Sequence, residues 1–199
     1  GGAVINVGSV VSDVAVPLQG FYSASKHAVK GFTDALRMEL EEAGTPISVT
    51  LIKPAAIDTP YTQNAKNLMK DEPSHVAPVY APEVVAEAIL HAAENPVRDL
   101  VAGGGAKLLS AMGKYTPRLT DKFMEKVMIG GTHSGRLTSR PKEGGLYRPN
   151  VGGKERGDYA GHVMESSAYT RASLHPMLAG MLGIGATFAL ATLVRRSRS

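Results

Sequence analysis

The chain has 199 residues, with 22 Lys and Arg against 18 Asp and Glu, 43% hydrophobic residues, and neither Cys nor Trp. That length and apolar fraction exclude a disordered or collagen-like chain, and the absence of cysteine excludes a disulfide framework, a thiolate metal site and a cysteine nucleophile. The formal charge of +4 is unevenly placed: residues 1–100 carry 7 basic and 12 acidic side chains, a balance of −5, whereas residues 101–199 carry 15 and 6, a balance of +9.

The sequence opens on Gly1 inside an apolar run with neither an initiator Met nor a signal peptide, so the chain is expected to be the C-terminal part of a longer one. Ala3 to Val7 is short, apolar and β-branched and ends in Gly8-Ser9, the pattern of a buried strand stopping at a polar turn. After Pro17 and Gly20, apolar residues at Phe21, Ala24, Ala28, Val29, Phe32, Leu36 and Leu40 follow helical spacing as far as Gly44-Thr45-Pro46. Ile47 to Ile52 predicts a second strand, stopped by Pro54. Between Thr59 and Pro82 a proline-rich polar stretch predicts an irregular loop holding one short helix. Pro82 to Glu94 predicts a helix, because Pro and Glu suit a first turn and Val84, Val85, Ala88, Ile89 and Ala92 share one face. Leu100 to Ala102 is a brief third strand before Gly103-Gly104-Gly105, and Lys107 to Met128 reads as helical.

Strand, helix, strand, helix, strand is the pattern of an α/β parallel sheet with right-handed crossovers, of which three strands make only part. Residues 1–105 therefore form one unit and 106–129 a helical extension. From 130 to 175 the composition shifts to Gly, Ser, Arg and Pro, which predicts a flexible linker. Residues 176–199 complete the chain as an apolar helix with a basic end.

The spacing that carries chemistry is Ser9, Tyr22 and Lys26. Tyr22 and Lys26 are four apart near the start of a helix, so they project from one face, and Ser9 ends the preceding strand. A phenol titrates near 10 in water and transfers protons poorly at neutral pH unless its anion is stabilised. A nearby lysine ammonium supplies that stabilisation, and a serine hydroxyl can hold a substrate oxygen beside the phenol. These are the parts needed to move a proton to or from an alcohol or carbonyl oxygen.

Asn6-Val7-Gly8-Ser9, Tyr22-Ser23-Ala24-Ser25-Lys26 and Pro54-Ala55-Ala56-Ile57-Asp58-Thr59 together resemble the second half of a short-chain dehydrogenase/reductase, over about residues 1–105. The resemblance implies a partial Rossmann-type doubly wound parallel sheet, last strands only. It also implies an NAD(P)-dependent oxidoreductase that interconverts an alcohol and a carbonyl by hydride transfer. By position, Tyr22 matches the family's catalytic acid/base, Ser9 the residue orienting the substrate carbonyl, and Lys26 the residue that binds the nicotinamide ribose and lowers the tyrosine pKa. Pro54, Ile57 and Thr59 match the stretch contacting the nicotinamide carboxamide and phosphates of NADP or NAD. Ala55 stands where the family usually has Gly, which implies a slightly different backbone there. The Thr59–Pro82 loop matches the family's variable substrate-binding segment. The family's Gly-rich pyrophosphate turn has no counterpart here, so the isolated chain is not expected to bind a dinucleotide tightly.

Other features read more plainly. His27 is expected to be a surface or packing residue, Gly103 to Gly105 a tight turn, and no His pair has metal-ligand spacing. Thr59 also suits a helix cap. The basic residues of 136–156 are interrupted by glycines and acids and predict no nucleic-acid partner. Met177 to Val194 has no charged residue and ends at Arg195-Arg196, so it reads as a candidate membrane anchor, with a helix buried in an oligomer interface as the other reading. The resemblance implies a homo-oligomer acting on a small-molecule alcohol or carbonyl at the cytoplasmic side. The competing function is a non-catalytic membrane-associated interaction module that has lost dinucleotide binding.

Overall fold

The computed structural model describes residues 1–138, 144–145, 153–177 and 179–181. In chain order its elements begin with β1 (Gly2–Val7), a 3₁₀ turn at Val10–Ser12, α1 (Gly20–Glu42), β2 (Ile47–Pro54), β3 (Ala56–Ile57) and α2 (Tyr61–Asn64). Next come β4 (Asp71–Pro73), β5 (Val79–Tyr80), α3 (Pro82–Glu94), β6 (Asp99–Ala102), α4 (Gly104–Tyr115) and α5 (Pro117–Phe123). A π-helical turn at Met124–Met128, α6 (Ile129–Thr132), β7 (His133–Leu137), β8 (Val163–Met164) and α7 (Ala168–Leu174) follow.

The main sheet is parallel, in the order β1-β2-β6. Its register runs Gly2↔Ile47 to Val7↔Ile52 on one side of β2 and Leu51↔Asp99 to Pro54↔Ala102 on the other. This is the α/β arrangement expected from the alternating elements. Central β2 is the most buried strand, with Leu51 and Ile52 at 0% exposure, each contributing about 1.5–3 kcal/mol by burial. The register brings the carboxyl ends of all three strands to one edge, where open α/β sheets place their ligands.

One apolar cluster lies between α3 and the sheet, built from Ile52, Val84, Ala88, Ala92, Leu100 and Ala102. A second gathers Val10, Val11, Val14, Val16, Val101, Ala106 and Met124, with Tyr22 and Ala55 packed against it.

Helix α1 differs from its apolar pattern. Phe21 and Phe32 are exposed, and the buried positions are Ser23, Thr33 and Arg37. Hydrogen bonding explains the choice. The Ser23 hydroxyl accepts from the Val16 N–H at 3.2 Å, and the Thr33 hydroxyl accepts from Asn6 Nδ2 at 2.9 Å. Arg37, only 5% exposed, donates from Nε to the Val49 carbonyl (2.9 Å), from Nη2 to the Arg98 carbonyl (3.2 Å) and from Nη1 to Asp34 (2.8 Å). A buried guanidinium so satisfied ties α1 to β2 and to the turn before β6.

The stretch expected as one helix over 107–128 starts earlier, at Gly104, and breaks at Thr116-Pro117. Proline cannot continue a helix but suits its first position, so α5 starts there. The loop 59–82 holds the expected short helix, α2, and also strands β4 and β5.

Residues 130–175, expected as a flexible linker, depart from that expectation where they are described. β7 pairs antiparallel with β4, and β8 pairs in parallel with β5 in the order β3-β5-β8. The Ser167 hydroxyl caps α7 by accepting from the Thr170 N–H, and the Thr170 hydroxyl accepts from the Gly103 N–H at 2.9 Å. Arg156 bridges Glu83 and Glu165, each at 2.8 Å. A glycine-rich segment can thus be ordered by backbone pairing to a loop, which leaves no hydrophobic period in the sequence. The apolar helix read at 177–194 lies, apart from Met177 and residues 179–181, outside the described residues. Among the described residues, no helix is long and apolar enough to cross a membrane.

Candidate active site

At the carboxyl edge of β1 the chain turns sharply through Gly8 and Ser9. A Cβ on Gly8 would sit 2.8 Å from Ser12 Oγ and 3.0 Å from Leu51 Cδ1, so only glycine lets the strand end so close to β2. Ser9 caps the 3₁₀ turn that follows. Its hydroxyl accepts from the Val11 N–H at 3.1 Å, and its own N–H donates to Ser12 Oγ at 3.2 Å, a reciprocal capping box that fixes the side chain.

Tyr22 and Lys26 rise from the first turns of α1. Lys26 Nζ donates to the Val7 carbonyl at 2.9 Å and lies 5.8 Å from the centroid of the Tyr22 ring, a cation–π distance. Burial pushes the Tyr22 phenol above its ordinary pKa, and a hydrogen bond with the Ser9 side chain pulls it part of the way back. Burial lowers the Lys26 ammonium. The structure thus brings Ser9, Tyr22 and Lys26 together. With its pKa raised, the phenol is protonated at neutral pH.

Pro54 closes β2, opposite Ala102. The Ala55 N–H donates to the Ala102 carbonyl at 2.8 Å, and Ile57 lies opposite Tyr80 in β3-β5. The Thr59 N–H turns back to the Ile57 carbonyl at 2.9 Å. Ala55 needs no unusual backbone, since Leu18 is the one non-glycine with positive φ among the described residues. The conformational demand falls instead on Gly103, at φ 103°, where a Cβ would meet Ala55 Cβ at 2.7 Å. Gly103 alone supplies the turn after β6, while Gly104 and Gly105 already belong to α4.

Tyr61, two residues beyond Thr59, was not singled out by its sequence context, yet its ring lies 5.0 Å from that of Tyr22 at an angle of 44°. Its hydroxyl donates to Gln19 Oε1 at 3.3 Å. Burial, with a smaller contribution from Tyr22, pushes its pKa up to about 12. His27 is exposed and hydrogen-bonds the Ser23 carbonyl of its own helix through Nδ1 at 2.9 Å. A further polar cavity of about 390 Å³ is lined by Asp58, His75, His133, Arg136, Asp158 and Tyr159 among others, and of the motif residues Asp58 alone lines it.

Residues 1–70 match the family model described as short chain dehydrogenase. The chain is 42% identical over 185 residues to the Bacillus subtilis (strain 168) protein named "Uncharacterized oxidoreductase YxnA", covering 92% of this chain and 52% of that one. It is 38% identical over 103 residues to human "Dehydrogenase/reductase SDR family member 11", covering 48% of this chain and 38% of the relative. The chain therefore spans about half the length of YxnA and less of the human protein. A solved short chain dehydrogenase from Burkholderia cenocepacia J2315 in complex with NADP is similar over 64% of this chain and 49% of its own, at 29% identity and a TM-score of 0.49.

Proposed function

Because this chain belongs to the short-chain dehydrogenase/reductase family, we propose that it serves an oxidoreductase that interconverts a small-molecule alcohol and a carbonyl, with Tyr22 as acid/base. The observation that supports this reading is the meeting of Ser9, Tyr22 and Lys26 at the carboxyl edge of a parallel sheet.

The residues at that edge suit a nicotinamide dinucleotide, NADP or NAD. Lys26 commits one N–H to Val7 and keeps two donors for a ribose diol. The Thr59 side chain has no hydrogen-bond partner among the described residues and is a free donor and acceptor at the end of the Pro54–Ile57 stretch. When bound, the nicotinamide supplies or accepts the hydride. Tyr22, held protonated by its buried setting, gives its proton to the carbonyl oxygen as that oxygen gains charge. Ser9, whose hydroxyl is locked by its cap, steadies the same oxygen. Lys26 stabilises the phenolate left behind, which then regains its proton from solvent. In the alcohol-to-carbonyl direction Tyr22 must first lose its proton, so that direction gains rate as pH rises.

The test is Tyr22→Phe in the intact protein, assayed by loss of reduced nicotinamide absorbance against a panel of ketones and aldehydes. Removing a positioned general acid is expected to cost about 10²- to 10⁴-fold in turnover. Binding of reduced nicotinamide, followed by its fluorescence, is expected to stay near that of the parent. Retained turnover in Tyr22→Phe would refute the role given to Tyr22.

A further inference from the structure

We propose that Tyr61 is a positioning residue for Tyr22: its ring packs across the Tyr22 ring and its hydroxyl is tethered to Gln19, so that α2 orients the Tyr22 phenol and shields it from water. This rests on the reading of Tyr22 as the proton-transfer group.

The argument begins with placement. Gln19 and Tyr22 are three residues apart at the start of α1 and share a face. Tyr61 spans both, with rings 5.0 Å apart and a 3.3 Å hydrogen bond to the Gln19 side chain. Gln19 is the N-cap of α1, but its side chain makes no capping bond, which leaves its amide oxygen for Tyr61. A packing residue alone would need no hydroxyl. Here the hydroxyl fixes where the ring lies, and the ring in turn limits the rotation of Tyr22.

The remaining groups leave this task to Tyr61. Lys26, from α1, points its ammonium at Val7. Asp13 and Lys53, from the turn after Ser9 and from β2, close on each other at 3.0 Å. Tyr169, from α7, joins the apolar cluster against which Tyr22 packs. Ser9 holds the phenol oxygen from the strand side. Tyr61 itself stays neutral across the working range, because its own phenol is pushed up to about 12, so it cannot compete with Tyr22 for the proton.

The experiment titrates Tyr22 directly by tyrosinate difference absorbance in the intact protein. Each trace is taken as the parent minus its Tyr22→Phe counterpart, so that one phenol is read. With Tyr61→Ala, water reaches Tyr22 and its titration is expected to move to lower pH, toward an ordinary phenol. With Tyr61→Phe, which keeps the ring but removes the tether to Gln19, a smaller shift in the same direction is expected. An unmoved Tyr22 titration in Tyr61→Ala overturns the proposal, because a residue that only packed a loop would alter melting temperature and leave that midpoint alone. Should Tyr61→Ala not fold, Gln19→Met removes the tether with both rings in place; a smaller shift in the same direction is expected, and no shift overturns it. The titration needs no turnover. A shifted midpoint with no activity toward any carbonyl would uphold the proposal and sink the oxidoreductase reading, and the reverse pattern would do the opposite.

Discussion

Gly103→Ala tests how tightly the end of β6 is seated against the candidate site. At φ 103° and ψ 120° Gly103 occupies a region open only to glycine, and a side chain forced there costs about 1–3 kcal/mol. The added Cβ would lie 2.7 Å from Ala55 Cβ and 2.8 Å from a Tyr80 ring carbon. Neither neighbour can retreat freely, since Ala55 is pinned by its 2.8 Å bond to Ala102 and Tyr80 is buried in the α3 cluster. Overpacking therefore adds about 1–3 kcal/mol. The total, about 2–6 kcal/mol, corresponds to a fall in Tm of roughly 5–20 °C for a chain of this size. The assay is urea unfolding followed by circular dichroism, with the slope checked to be unchanged so that the midpoint reports stability alone. Adding Ala55→Gly removes the 2.7 Å contact but not the backbone strain, so the double variant is expected to recover part of the loss. A loss below about 0.5 kcal/mol for Gly103→Ala would refute the reasoning. A full recovery by Ala55→Gly would refute the strain component.

Two further outcomes concern the far end of α1. Arg37→Met keeps the length of the stem but strips donors from the Val49 and Arg98 carbonyls, and is expected to cost about 2–4 kcal/mol in chemical denaturation; a change within experimental error would mean that water replaces the guanidinium without loss. Asp34 is held below its ordinary carboxylate pKa of 3.8, first by its hydrogen bond from Lys30 and then by Arg37 and Arg98, against an opposing effect of burial. Because the folded value is the lower one, its stabilisation is complete above 3.8 and disappears as pH falls through the folded value. Asp34→Asn is thus expected to be less stable than the parent at neutral pH, with the gap closing on acidification; a gap independent of pH would exclude the charge as its source.

The legible parts of the fold were those with a period. β1, α1, β2, α3 and β6 each carry a run long enough to show alternation or a helical stripe, and each lies within a few residues of its expected bounds. Strands β5 and β8 are two residues each, too short for any period, and they find each other across more than eighty residues of chain. Nothing local to Val163-Met164 announces a partner at Val79-Tyr80. The inward face of α1 carries no apolar signal for a different reason: Thr33 and Arg37 look like surface residues until the backbone carbonyl and side-chain partners opposite them are known. At the candidate site, Ser9, Tyr22 and Lys26 were readable because strand end and helix start are adjacent both in sequence and in space. Tyr61 was not, since its only signal is a tyrosine just past Thr59-Pro60, and ring-to-ring contact across a loop leaves no spacing to detect.

The buried anchorage of Arg37 also works as a fulcrum. It stands fifteen residues along α1 from Tyr22, a rigid arm of about 22 Å at 1.5 Å per residue. A tilt of about 5° about that point would swing the phenol by roughly 2 Å, several times the half ångström that a preorganised site tolerates. The bonds from Arg37 to β2 and to the turn before β6 therefore set the aim of a side chain that they never touch.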